Sequence, residues 1–145
     1  MAIRRMDHVG VVVDDLEAVS AFFVELGLEI VGEAAVGGGW VDRIVGLHGV
    51  RSDIVMLRTP DGSGQIELSK FHSPSTAGDA RPLPANARGI RHVAFEVADI
   101  DALVARLRAR GAELVGSIEN YENTYRLCYI LGPEGIIVEL AERIA

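Results

Sequence analysis

The stretch His8-Val9-Gly10-Val11-Val12-Val13-Asp14-Asp15 returns 84 residues later as His92-Val93-Ala94-Phe95-Glu96-Val97-Ala98-Asp99. The likeness runs without a gap from 8–32 onto 92–116 and gives ten identities in 25 positions. After His8/His92 come Val9/Val93, Val13/Val97, Asp15/Asp99, Ala18/Ala102, Ala21/Ala105, Gly27/Gly111, Glu29/Glu113, Val31/Val115 and Gly32/Gly116. A second match follows once one residue is inserted in the first copy. Pro60-Asp61-Gly62 lies on Pro133-Glu134-Gly135, and Ile66-Glu67-Leu68 lies on Val138-Glu139-Leu140. The chain is an internal repeat, and the repeat unit defines the fold.

Each copy resolves into the same elements. Val9, Val11 and Val13 alternate as a strand, as do Val93, Phe95 and Val97. Asp14 or Asp15 N-caps a helix over about 16–26 that Gly27 ends, and Asp99 caps one over 100–110 that Gly111 ends. Leu28 to Val31 and Leu114 to Val115 begin new strands. Ile54 to Leu57 and Leu127 to Leu131 are strand-like runs that lead into Pro-acid-Gly turns, and a glutamate-bearing strand follows each turn. This is an α+β chain of two tandem βαβββ modules. The reading is one domain over 1–145, with module 1 at about 4–72, a turn-rich linker at 73–89 and module 2 at about 90–142.

Strand parity points to chemistry. Val9, Val11 and Val13 suit the face against the helix, so His8, Gly10 and Val12 take the other face. His92, Ala94 and Glu96 do the same in the second copy. Ile66 and Leu68 flank Glu67, and Val138 and Leu140 flank Glu139, so both carboxylates turn away from the helices. A lone histidine or glutamate on a strand is ordinarily structural; recurrence at equivalent places in two copies is not ordinary. A pseudo-twofold arrangement predicts that His8, Glu67, His92 and Glu139 converge on one divalent cation, which offsets the cost of enclosing two carboxylates. Two imidazoles and two carboxylates suit Zn, Ni, Co, Mn or Fe, and Mg less exclusively. Four protein ligands on an octahedral ion leave two adjacent positions for a substrate with neighbouring oxygens.

Bulk properties exclude other functions. At 145 residues and a net charge of −7, the chain repels nucleic acid and anionic membrane surfaces. Arg106, Arg108 and Arg110 are the one local basic group, and they read as the solvated side of a helix. Cys128 is the only cysteine, which suits a reducing compartment. No apolar signal-peptide core follows Arg4-Arg5, and no stretch is long enough to span a membrane, so the expectation is a cytoplasmic protein. Gly37-Gly38-Gly39-Trp40 reads as a flexible segment, equally a lid carrying Trp40 over the pocket or a plain exposed loop. Tyr121, Tyr125 and Arg126 are candidate substrate contacts before a strand of the second copy. His48 and His72 fall in or near loops and read as non-functional.

Taken together, Asp7-His8-Val9-Gly10, Ile66-Glu67-Leu68, the run from His92 to Val97, and Gly132-Pro133-Glu134-Gly135 with Val138-Glu139-Leu140 resemble the vicinal oxygen chelate superfamily. That group holds glyoxalase I, methylmalonyl-CoA epimerase, extradiol dioxygenases, fosfomycin-modifying enzymes and bleomycin-binding proteins. The resemblance spans nearly the whole chain. It implies paired modules that form a curved open barrel around a central cavity with a metal, usually in a homodimer. His8, Glu67, His92 and Glu139 fill all four ligand positions of its glyoxalase I-like members. The implied activity is that of a metal-dependent lyase or isomerase moving a proton through an enediolate, with Glu139 as base and Glu67 as its counterpart. The rivals are an extradiol-type Fe(II) dioxygenase and a small-molecule binding or resistance protein without turnover. The short loops show no clear pocket for a thiol cofactor.

Overall fold

A computed structural model describes residues 2–78 and 81–145. The chain divides into two units, Met1–Ala80 and Arg81–Ala145, each with its own sheet. The boundary falls inside the expected 73–89 linker, of which residues 79 and 80 lie outside the described residues.

In the first unit β1 (Val9–Val12) leads to α1 (Leu16–Leu26), β2 (Glu29–Gly37), α2 (Gly39–Val45), β3 (Arg51–Arg58) and β4 (Gln65–Ser73). The strand order is β1-β4-β3-β2; β1 runs parallel to β4 and the other pairs are antiparallel. In the second unit β5 (His92–Glu96) leads to α3 (Ile100–Ala109), β6 (Glu113–Leu114), β7 (Glu119–Tyr121), β8 (Tyr125–Leu131) and β9 (Ile137–Arg143). Its order β5-β9-β8-β6 repeats the first, with β7 added beside β8. The α+β class and the doubled βαβββ plan are therefore as the repeat requires.

The helices start where the aspartates stand. Asp15 accepts the Ala18 N–H at 3.0 Å and Asp99 accepts that of Ala102 at 3.2 Å, satisfying N-terminal donors that a helix leaves open. Gly27 (φ 120°) carries the chain out of α1, a conformation that a side chain opposes. Below α1, Val19 and Phe23 are fully buried on Leu57 and Leu68; below α3, Leu103, Val104 and Leu107 cover the face of Ile130 and Leu140. Cys128 lies on this buried side of β8, where burial pushes its thiol pKa up.

One expectation is revised. Gly37-Gly38-Gly39-Trp40 is not a free loop: Gly37 ends β2, Gly38 caps α2, and Trp40 sits in the first turn of that helix. Asp42 ties the helix to the following corner, its two carboxylate oxygens accepting the N–H groups of Gly49 (2.9 Å) and Val50 (2.8 Å). Those bonds hold its pKa below the usual carboxylate value. In the second unit the counterpart of β2 is broken in two: β6 and β7 span 113–121 as β2 spans 29–37, and 119–121 pair with 125–127 as 35–37 pair with 51–53. The Pro-acid-Gly turns hold as expected. In one, Asp61 accepts the Ser63 N–H and the hydroxyls of Thr59 and Ser63, which brings its pKa to about 2. In the other, Gly135 (φ 77°) passes so close to the backbone of Pro82 that a Cβ would stand 3.0 Å from its Cα.

Leu68 and Leu140 occupy matching positions and are both fully buried, so Leu68→Ala and Leu140→Ala are each expected to cost about 2–5 kcal/mol in urea unfolding. Asp42 has a folded-state pKa below its unfolded value, so its stabilisation is full above the unfolded pKa and vanishes as pH falls through the folded one. Asp42→Ala is therefore expected to lower Tm at pH 7, with a gap to wild type that closes below about pH 4. Thermal scans from pH 3 to 8 check this.

Candidate functional site

The parallel pairing of first and last strands sets a histidine beside a glutamate in each unit. In the first, Gly10 is in register with Glu67; in the second, Ala94 is in register with Glu139, and His92 opens the same strand. His8 Nε2 stands 3.6 Å from Glu67 Oε2, and His92 Nε2 stands 3.9 Å from Glu139 Oε1. All four side chains lie on the face away from their helix, half-buried at 25–38% exposure. Leu68 and Leu140, one position on, are fully buried, as period-two alternation demands.

Hydrogen bonds aim the imidazoles. His8 Nδ1 donates to Asp7 Oδ2 at 2.7 Å, and Arg5 donates to the other oxygen at 2.8 Å. The His8 bond, supported by Arg5, holds the Asp7 pKa below the usual carboxylate value. With the proton on Nδ1, the Nε2 of a neutral imidazole is an acceptor, and it faces a carboxylate oxygen that is also an acceptor. Two acceptors at 3.6 Å share no hydrogen bond. A cation between them satisfies both, and two donors each about 2.0–2.2 Å from an ion span such a gap. In the second unit Tyr129 Oη lies 3.4 Å from His92 Nδ1, and the two rings are 4.9 Å apart between centroids. Tyr129 also faces Glu139 across the β8–β9 register.

Among the described residues no group of three or more His, Cys, Asp or Glu side chains is gathered around one point; each unit brings a pair.

The second unit's open face carries a cleft of about 810 Å³ lined by Glu96, Tyr121, Tyr125, Leu127, Glu139 and Arg143. Tyr121 and Tyr125 thus share a cleft with Glu139. Arg126 does not: it points to the helix side, where its guanidinium holds both carboxylate oxygens of Asp101 and its Nη2 donates at 2.9 Å. That pairing raises the Arg126 pKa and lowers that of Asp101. Trp40 is half exposed on α2, away from the strands that bear His8 and Glu67. His72 is paired with Asp53 at 2.7 Å across β3 and β4, and His48 is exposed in the α2–β3 corner.

Two residues were not singled out by the sequence. Tyr129 becomes visible only through the β8–β9 register. Arg143 follows from the alternation that places Glu139, continued through Ala141 to the end of β9.

Comparison with known proteins agrees with this geometry. The family described as Glyoxalase/Bleomycin resistance protein/Dioxygenase superfamily matches residues 5–140. The crystal structure of a glyoxalase family protein from Bacillus cereus superposes with a TM-score of 0.96 at 49% identity, covering 100% of this chain and 99% of that one. A 2-epi-5-epi-valiolone epimerase from an Actinomyces species is 32% identical over 145 residues, covering 92% of this chain and 76% of its own. An ethylmalonyl-CoA/methylmalonyl-CoA epimerase from Cereibacter sphaeroides is 32% identical over 118 residues, covering 81% of this chain and 78% of its own.

Proposed function

The chain belongs to the Glyoxalase/Bleomycin resistance protein/Dioxygenase superfamily, and from that premise we propose that it is a metal-dependent lyase or isomerase of the glyoxalase/epimerase type, acting as a homodimer. Its ligands are His8, Glu67, His92 and Glu139, together on one divalent cation. The observation that carries this reading is the recurrence of one pair: a histidine Nε2 faces a glutamate oxygen at 3.6 Å in one unit and at 3.9 Å in the other. Two epimerases among the relatives support proton transfer at carbon as the reaction class.

The residues present fit such an ion. Imidazole and carboxylate donors suit Zn, Ni, Co, Mn or Fe, and in the first unit His8 Nε2 and Glu67 Oε2 face each other as two acceptors at 3.6 Å. When bound, the cation supplies Lewis-acid polarisation of two adjacent substrate oxygens, which acidifies the neighbouring C–H. Asp7 fixes the His8 ring with Nε2 outward, and Tyr129 braces His92. Glu139 takes the proton from the carbon beside the substrate carbonyl. Glu67 returns one, to the adjacent carbon for an isomerase or to the opposite face of the same carbon for an epimerase. Ser69 Oγ, 3.5 Å from Glu67 Oε1, steadies the second carboxylate. Tyr121, Tyr125 and Leu127 line the space beside Glu139.

Metal content by inductively coupled plasma mass spectrometry is expected to show about one divalent transition metal per chain in wild type, lost in His8→Ala and Glu139→Ala. Asp7→Ala is expected to weaken the metal by about tenfold or more without unfolding the protein, since it removes the acceptor that orients His8. For the chemistry, deuterium exchange into α-hydroxyketones is followed by NMR across a metal-reconstituted panel. Glu139→Gln is expected to cut exchange by about 100-fold or more. Retention by Glu139→Gln of both metal and full exchange sinks the assignment.

A further inference from the structure

The open faces of the two units are built on one plan but are chemically unlike. Positions 67, 69 and 71 of β4 correspond to positions 139, 141 and 143 of β9. The third position is Phe71 in one unit and Arg143 in the other. Four residues along the strand from the histidine the contrast repeats, with Val12 in one and Glu96 in the other. The fold therefore asks for no arginine at this place; the first unit builds the same strand without one.

Arg143 is held in a defined pose. Its Nη2 and Nε donate to Tyr125 Oη at 3.0 and 3.3 Å, and its Cζ lies 5.5 Å from the centroid of the same ring. Residues 125 and 143 face each other in register, so one strand pair supplies both groups. The guanidinium has five N–H donors, and a single phenol oxygen cannot occupy them all. Glu96 is 3.8 Å away, but both side chains are about two-thirds exposed (63% and 66%), a solvated pair worth little. Arg143 and Glu139 line the same cleft. Four residues along one strand at about 3.3 Å each put them about 13 Å apart at the backbone.

We infer that Arg143, posed by Tyr125, binds an anionic oxyacid group on the substrate, a carboxylate or a phosphate, while the vicinal oxygens sit at the other end of the cleft by Glu139. This assignment rests on the metal reading above and adds the substrate class to it: small molecules with two adjacent oxygens at one end and an anion at the other. Planar guanidinium donors match a carboxylate or phosphate in bidentate fashion. Tyr121 and Tyr125 supply flat apolar walls for the linking segment.

The test uses hydroxamates, which present two adjacent oxygens, on a six-carbon chain ending in methyl, carboxylate or phosphonate. Each is titrated calorimetrically into protein loaded with Mn(II) or Co(II), after metal uptake has been measured separately. A charged probe is expected to bind wild type about tenfold more tightly than the methyl-terminated one. Arg143→Gln is expected to abolish that preference while leaving the methyl-terminated affinity within about twofold, and Arg143→Lys to retain part of it. The better of the two charged probes identifies the anion as carboxylate or phosphate. Equal binding of all three probes by wild type overturns the assignment and leaves the metal reading standing, as does an equal loss for all three in Arg143→Gln. Failure to take up metal overturns both.

Discussion

In each unit the first strand lies parallel to the last, and much else depends on that pairing. A parallel neighbour cannot be reached through a tight turn, so the chain must cross over the sheet, and the helix it forms on the way covers one face. The same crossover frees the other face. Hydrogen bonding then fixes the register, and register decides which side chains share that free face. Val9 opposite Ile66 brings Glu67 near His8; His92 opposite Ile137 brings Glu139 near His92. A slip of one residue would send each glutamate into the hydrophobic layer occupied by Leu68 and Leu140. The buried leucines therefore guard the carboxylates, because moving a charge into that layer costs far more than the slip could recover.

Much of this was legible from residue order. The repeat gave the doubled architecture because both copies keep their helix caps and glycines, Asp15 with Gly27 and Asp99 with Gly111. Alternation assigned the faces, since valines and leucines at every second position leave no doubt about which side is buried. The site beyond the His–Glu pairs was harder to read. Tyr129 reaches His92 from a strand that is not adjacent to it, and that depends on a turn at Pro133–Gly135 whose geometry residue order does not print. Arg143 obeys the same alternation as Glu139, yet an arginine next to a chain end reads as an ordinary solvated residue. Arg126 misleads in the opposite sense: one position from Tyr125, it is carried by the pleat to the helix side and Asp101. The glycines at 37–39 suggested mobility, whereas Asp42 anchors the short helix that follows them.

The two copies have kept a common frame and diverged on its open face. Core positions under the helices match: Val19 with Leu103, Phe23 with Leu107, Leu57 with Ile130 and Leu68 with Leu140 are all buried. Exposed positions do not: Val12, Ile54, Met56 and Phe71 make one face largely apolar, whereas Glu96, Tyr125 and Arg143 make the other polar.

The parallel pairing also bears on how the protein is made. Strands β3 and β4 can meet soon after synthesis through a short turn, as can β8 and β9. The first strand of each unit has no partner until the last has emerged, so it waits while a long loop closes. The histidine of each pair is thus among the first residues of its unit to be translated, and it meets its glutamate only when that unit is complete. An unfinished unit offers a free sheet edge and an isolated imidazole, and each His–Glu pair exists only once the unit that builds it is whole.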